Sequence, residues 1–399
     1  MRFLTLFCFS LLFFSLSAQN WQQLNDYPSS GVDDGTAFVI GDKAYCGTGI
    51  VDWFASQRNF YAFDLNTESW TAIAFLPLGW ERQYANGFAS DSFGYVFGGY
   101  NGKFLNDLWR YDPHNDQWQE MTPLPDSGRS GAASFVVDSM AYIIGGKNDS
   151  SQALSEVWAY NMNNDSWVQK SNLPFGGRWR SGANSNDSLG FLAFGMDDTL
   201  RYCQELFEYN PLTDSWTKLS DFPNGGRNYV KMHLINGKLL AFGGEDNSNT
   251  FLNELWSYDL QFNSWEELNP LPEEGRRGGM SFQFQNAFYY TTGLIKNEGR
   301  TKESWKYEEP TSLKENGWVP KIKLYPNPVQ TVLTIEHPTL VANEQWHFEL
   351  RSSKGLLLKN QQMYGSITRI QMESLSQGMY FLIIRSEKGN FWKKALKLD

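Results

Sequence analysis

Tryptophan returns in this chain at residues 21, 70, 118, 167, 216 and 265, in steps of 49, 48, 49, 49 and 49. Three more ladders keep the same phase. Aromatics stand at Tyr61, Trp109, Trp158, Phe207, Trp256 and Trp305, and arginines at Arg82, Arg129, Arg178, Arg227 and Arg276. Glycines run through Gly98-Gly99, Gly145-Gly146, Gly195, Gly243-Gly244 and Gly293. A period of this length marks an array of small units, none of which can bury its own hydrophobic surface alone.

One unit shows how each is built. Ser134–Val137, Met140–Ile144, Val157–Tyr160 and Trp167–Gln169 read as four strands, separated by Asp138-Ser139, by Gly145-Gly146 and by the polar turn 161–165. In the third strand, Val157 and Ala159 point to one side and Trp158 and Tyr160 to the other. Such a sheet has two apolar faces, and radial stacking of sheets covers both. The expected fold is all-β, a six-bladed propeller over residues 20–310.

Closure is also legible. The sixth copy ends its third strand at Trp305-Lys306-Tyr307, and the next tryptophan, Trp318, falls eleven residues on instead of seven. Trp21-Gln22-Gln23-Leu24 is a fourth strand without a unit of its own. The N-terminal strand is therefore expected to complete the last blade and remove an open sheet edge.

The double glycine, the spaced pair in Trp109-Arg110-Tyr111 and Trp118 seven residues later resemble the kelch family of propellers. The first copy departs from the pattern, with Val32 where the arginine stands elsewhere. The fourth and sixth copies carry Gly195-Met196 and Gly293-Leu294 in place of the double glycine. The resemblance implies a fold and leaves the activity open, because kelch propellers host unrelated functions.

Beyond residue 321 the period stops, and seven short β-like runs suggest a small β-sandwich over 321–399, joined by a linker at 311–320. Tyr325-Pro326-Asn327-Pro328, Lys354-Gly355 and Gly378-Met379-Tyr380 resemble the C-terminal sorting domain of type IX secretion substrates. The resemblance implies the type IX machinery as partner, passage through the outer membrane, and an extracellular or cell-surface location. Arg2, the apolar run Phe3–Leu16 and Ser17-Ala18-Gln19 read as a signal peptide over 1–19, delivering the chain to the periplasm first. No other run is long enough to span a membrane. The formal charge of −10 argues against nucleic acid. Cys46 and Cys203 lie three repeats apart, too far around a ring for a disulfide.

No motif for hydrolysis, metal binding or a cofactor stands out, so no cofactor and no metal are expected. The galactose-oxidase branch of kelch propellers uses a copper site with two histidines, and this propeller holds only His114 and His233, on differently placed elements. Bacterial N-acetylneuraminate epimerases, also exported kelch propellers, use a Glu and an Arg. Glu245 resembles that Glu position, but Phe251 stands where the Arg belongs; Arg201 has the right spacing, but Met196 replaces its Glu. Asp33-Asp34 reads as a solvated loop, and Asp246-Asn247-Ser248-Asn249 as a plain turn.

The ladder arginines are expected to be structural, bonding carbonyls of neighbouring blades beside the channel. Non-repeating residues near them are better ligand-binding candidates, because the fold does not demand them: Trp80, Tyr84, Trp179, Arg180, Tyr229 and Arg277. If the first strand is extended there, Arg180 points the same way as Arg178, toward the channel. The sequence thus reads as a non-catalytic propeller binding a glycan or a protein outside the cell, with a sugar-processing enzyme of the epimerase type as the alternative.

Overall fold

A computed structural model of the protein describes residues 20–309, 323–336, 346–352, 357–363, 367–386 and 389–398. The expected signal peptide and linker, Trp318 and Lys354-Gly355 lie outside these residues. The chain divides into two compact units.

The repeats form six four-stranded antiparallel sheets. Sheet 3 comprises Ala133–Val137, Met140–Ile144, Val157–Asn161 and Ser166–Lys170, close to the expected strands. The first strands of the six are Thr36–Ile40, Asn86–Ala89, Ala133–Val137, Gly182–Ser185, Lys231–Ile235 and Met280–Phe284. Each of these strands contacts the next, and the sixth contacts the first.

Two repeated clamps tie sheet to sheet. Four of the fourth-strand tryptophans donate their indole N–H to a backbone carbonyl about 45 residues earlier: Trp70 to Asn25 at 3.1 Å, Trp118 to Ala74 at 2.8 Å, Trp167 to Thr122 at 2.9 Å and Trp265 to Ser220 at 3.1 Å. The aspartate at the turn before that strand completes the joint. Asp116 accepts the Ala74 N–H and the Tyr111 hydroxyl, and Asp165 and Asp214 repeat this with Thr122 and Tyr160 and with Ser171 and Tyr209.

The ladder arginines are buried and bond backbone carbonyls, as Arg82 does with Gly98 and Arg129 with Gly145, but those carbonyls belong to their own repeat and not to a neighbouring blade. Each also pairs with a carboxylate of the same repeat. Arg82 grips Asp107 through two bonds of 3.0 and 2.7 Å, and Arg129, Arg178, Arg227 and Arg276 pair with Glu156, Glu205, Glu254 and Glu303. This acid ladder also runs at the repeat period.

The ring closes as the sequence suggests. Trp21–Leu24 pairs antiparallel with Ser304–Glu308, in register Trp21↔Tyr307 to Leu24↔Ser304. Trp21 is buried, lies 5.2 Å from the rings of Phe242 and Tyr307, and donates its indole N–H to Asn269 at 2.9 Å. A second tie crosses the same seam: Arg300 bonds Asp33 at 2.5 Å and meets Asp52 at 3.3 Å. Asp33 and Asp34 are thus buried and not the solvated loop anticipated. Cys46 and Cys203 are both buried and free.

Among its described residues the C-terminal unit has seven strands in two antiparallel sheets. One contains Lys323–Tyr325, Val332–Glu336 and Ile367–Gln371; the other contains Leu357–Met363, Trp346–Ser352, Gly378–Ser386 and Gly389–Lys397. Leu333, Ile335 and Ile370 of the first sheet share one core with Trp346, Phe348, Leu350 and Leu382 of the second. The Tyr325-Pro326-Asn327-Pro328 segment is held to the last strand, where the Asn327 side chain accepts the Leu396 N–H at 2.8 Å. Tyr380 is buried and donates its hydroxyl to the Ser376 carbonyl.

Two stability predictions follow from the seam. Trp21→Ala should destabilise the propeller by about 3 to 5 kcal/mol, the usual cost of emptying a buried aromatic site, read as a lower thermal midpoint. An unchanged midpoint would mean that the strand is dispensable. The second concerns pH. Burial, then the neighbouring Asp34 charge, push the Asp33 carboxyl up to about 7, against the pull of Arg300. The native state then holds a proton that the unfolded chain has released, so stability falls as pH rises from about 4 to about 7. Asp34→Asn should flatten that slope in denaturation curves taken across the window.

Candidate functional site

Two residues after each ladder position, every sheet places a residue in the left-handed backbone region: Asp34 (φ 59°), Tyr84 (58°), Gly131 (59°), Arg180 (59°), Tyr229 (62°) and Gly278 (70°). Their backbones join into a belt. Asp34 N–H donates to Gly278 O, Tyr84 to Asp34, Gly131 to Tyr84, Arg180 to Gly131 and Tyr229 to Arg180, at 2.6 to 3.3 Å. The turn corrects the assumption of an extended strand. Arg178 and Arg180 do not point the same way: Arg178 is buried against Glu205, and Arg180 lines a cavity on the propeller axis.

Around the belt the non-repeating side chains converge. The Arg180 guanidinium lies 3.6 Å from the Trp179 ring centroid, 4.1 Å from Tyr229 and 4.4 Å from Tyr84. It has no hydrogen-bond or ion-pair partner among the described residues, and its Nε is buried without one. Tyr229 also carries Arg277, 4.4 Å from its ring on the far side of the cluster. Arg277 in turn meets Glu245 of the preceding sheet at 3.4 Å and the Phe251 ring at 5.1 Å. Burial pushes the Tyr84 and Tyr229 hydroxyls well up, so both stay neutral donors. Five of the six predicted ligand-binding residues therefore meet. Trp80 stands apart, packed on Trp109 at 5.4 Å, with its carbonyl taken by Arg82.

From the belt, the cavity runs along the first strands of all six sheets and holds about 240 Å³. Lys231 and His233, alternate residues of one strand, both line it. His233 bonds the Ser281 hydroxyl at 2.8 Å, and burial followed by the Lys231 charge lowers its pKa to about 3, so the ring is neutral. Burial also lowers the Lys231 amine, partly offset by Asp34. The sequence analysis passed over Lys231. The signal was present, because the same strand position holds Thr36, Asn86, Ala133, Gly182 and Met280 in the other sheets. His114 is exposed in its turn, away from this cavity, and Asp246 accepts the backbone N–H groups of Ser248 and Thr250 within its own loop.

Comparisons with known proteins agree with this architecture. The KLHDC2/KLHL20/DRC7 Kelch-repeats domain matches residues 36–224 and, in a second overlapping match, 131–319. A secretion system C-terminal sorting domain matches residues 323–397. The N-acetylneuraminate epimerase of Haemophilus influenzae (strain PittEE) is 32% identical over 148 residues, covering 35% of this chain and 37% of the relative. That of Vibrio cholerae serotype O1 is 30% identical over 138 residues, covering 31% and 34%. The matched stretch thus spans about a third of these relatives. The solved structure of YjhT superposes with a TM-score of 0.62 at 19% identity, over 70% of this chain and 95% of that one, a likeness of fold. The chain belongs to the kelch-repeat β-propellers and carries a type IX sorting domain that directs it to the cell surface or beyond.

Proposed function

We propose that the belt face of the exported propeller is a binding site for a sugar bearing a carboxylate, and that it binds this ligand without converting it. The observation that carries the reading is Arg180, a guanidinium with no partner, held among three aromatic rings at 3.6 to 4.4 Å. A planar donor fork matches a carboxylate or vicinal hydroxyls. Aromatic faces offer the apolar side of a sugar ring a surface to stack on. The backbone supports the same reading, because Tyr84, Arg180 and Tyr229 occupy a conformation that glycine fills in two other sheets. Each non-glycine residue there costs about 1 kcal/mol or more, and such strain gathers at functional sites.

A second reading has its own observation. The Glu245–Arg277 pair at 3.4 Å adjoins the same cluster, with the arginine supplied by the next sheet and not from six residues downstream. An acid beside a guanidinium is the equipment for proton transfer at an anomeric hydroxyl, and the relatives above are named as epimerases of such a sugar.

Arg180→Gly separates binding from folding. It should weaken binding of a uronic acid by tenfold or more, about 1.4 kcal/mol, in calorimetry. The thermal midpoint should hold or rise, since glycine relieves the backbone. Unchanged binding would dismiss this face. The two readings part on turnover: the first expects no acceleration of anomer exchange by NMR. If exchange is accelerated and Glu245→Gln abolishes it while binding persists, the catalytic reading stands.

A further inference from the structure

We propose that Lys231 forms a second anion subsite inside the axial channel, which takes a small oxyanion either as a free ion or as the charged end of a molecule resting on the belt. The proposal stands on features of the channel itself, and its second source rests on the sugar-binding reading above.

Three observations meet at Lys231. Its amine lines a cavity of about 240 Å³ that is enclosed by the first strands of six sheets. It has no hydrogen-bond or ion-pair partner among the described residues. The fold does not call for it, because the matching positions hold small or neutral residues in five other sheets. The side chain is half-buried, and a cation withdrawn even in part from water is usually paired or left out. The neighbouring amides are already engaged: Asn86 donates to the Ala132 carbonyl and Asn184 to the Met232 carbonyl. They polarise the wall without neutralising the amine. The ionisable groups facing this space are Asp34, Arg180, Tyr84, Tyr229 and His233. Of these only Asp34 is anionic, and it forms no ion pair with Lys231.

Size narrows the ligand. A dry cavity of about 150 Å³ accepts benzene, so this one admits an acetate or a phosphate with some water, or one carboxylated end of a sugar. The first strands of all six sheets line the channel, so a charged group reaches Lys231 end-on. A site built this way selects chain termini and free acids over groups within a polymer.

The test uses the propeller with acetate and inorganic phosphate as probes too small to stack on the belt, and galacturonic acid as a probe able to reach both parts. Titration of the Lys231 amine is followed by NMR of selectively labelled lysine. With the wild-type protein, either small anion should raise the amine's titration midpoint, and Lys231→Met should weaken anion binding at least tenfold while the thermal midpoint is kept or raised. Asp34→Asn should strengthen binding by removing the competing carboxylate. If the small anions bind the wild type and Arg180→Gly equally, and galacturonate loses affinity in Lys231→Met, the anionic end of a larger ligand uses the subsite. If they bind and galacturonate is indifferent to Lys231→Met, the channel serves free anions. The proposal is overturned if neither anion shifts the Lys231 titration, or if Lys231→Met and wild type bind them alike. Loss of galacturonate binding in Arg180→Gly alone, with anion binding intact, would touch only the belt.

Discussion

A sheet with two apolar faces cannot stand by itself in water, and the whole molecule follows from how its neighbours cover it. The covering is directional as well as hydrophobic. In five of the six sheets the fourth-strand tryptophan fills the gap between sheets and spends its single N–H on a carbonyl of the previous one, as Trp118 does with Ala74; Trp216 packs there with its N–H unpaired among the described residues. A buried indole with no acceptor would give back part of what burial gains. The aspartate at the adjacent turn fixes the same joint from the backbone side. Because the joints form a cycle, a missing one leaves two raw faces and not one. This explains why the chain reaches back to Trp21–Leu24 to supply the last strand.

The cycle also creates the site. Where six first strands converge, their N-terminal turns meet in a belt of backbone bonds, and this geometry requires a left-handed residue from each sheet. The belt fixes the backbone and leaves the side chain free. Glycine answers the requirement most cheaply in sheets 3 and 6, and elsewhere Asp34, Tyr84, Arg180 and Tyr229 occupy it at a conformational cost. One backbone device thus presents six independently variable side chains to one small space. A propeller can acquire a new ligand there without touching the joints that hold it together.

This division sets how much could be read from the sequence. Repetition made the sheets and the closure by Trp21–Leu24 legible, because each copy confirms the others. It also marked Tyr84, Arg180 and Tyr229 as departures from the pattern. The direction of Arg180 was not legible: alternation along a strand applies only where the strand is extended, and φ is positive at that residue. Trp80 shows the opposite limit, since a non-repeating aromatic can still be packing. The acid partners Asp107 to Glu303 share the period of the arginines and could have been found by the same search. The Arg277 partner of Glu245 could not, because it comes from the next sheet, 32 residues on, and linear spacing within a motif does not describe a contact across a joint.

Charge gives the last step. The ladder arginines each have a carboxylate, Arg277 has Glu245, and Arg300 has Asp33. This is what burial demands of a guanidinium that serves the fold, since an unpaired buried cation is disfavoured by several kcal/mol. Arg180 and Lys231, both half-buried, go without such a partner among the described residues, and both line one axial cavity. Two exceptions scattered over the surface would mean little, because exposed cations are solvated. Two that line one polar cavity are each partly withdrawn from water at the same place, and each carries that cost. A negatively charged guest removes both costs at once, and the walls of the channel screen that attraction less than open water would. The same residues that weaken the empty propeller would therefore stabilise the filled one, which is the thermodynamic form of a binding site.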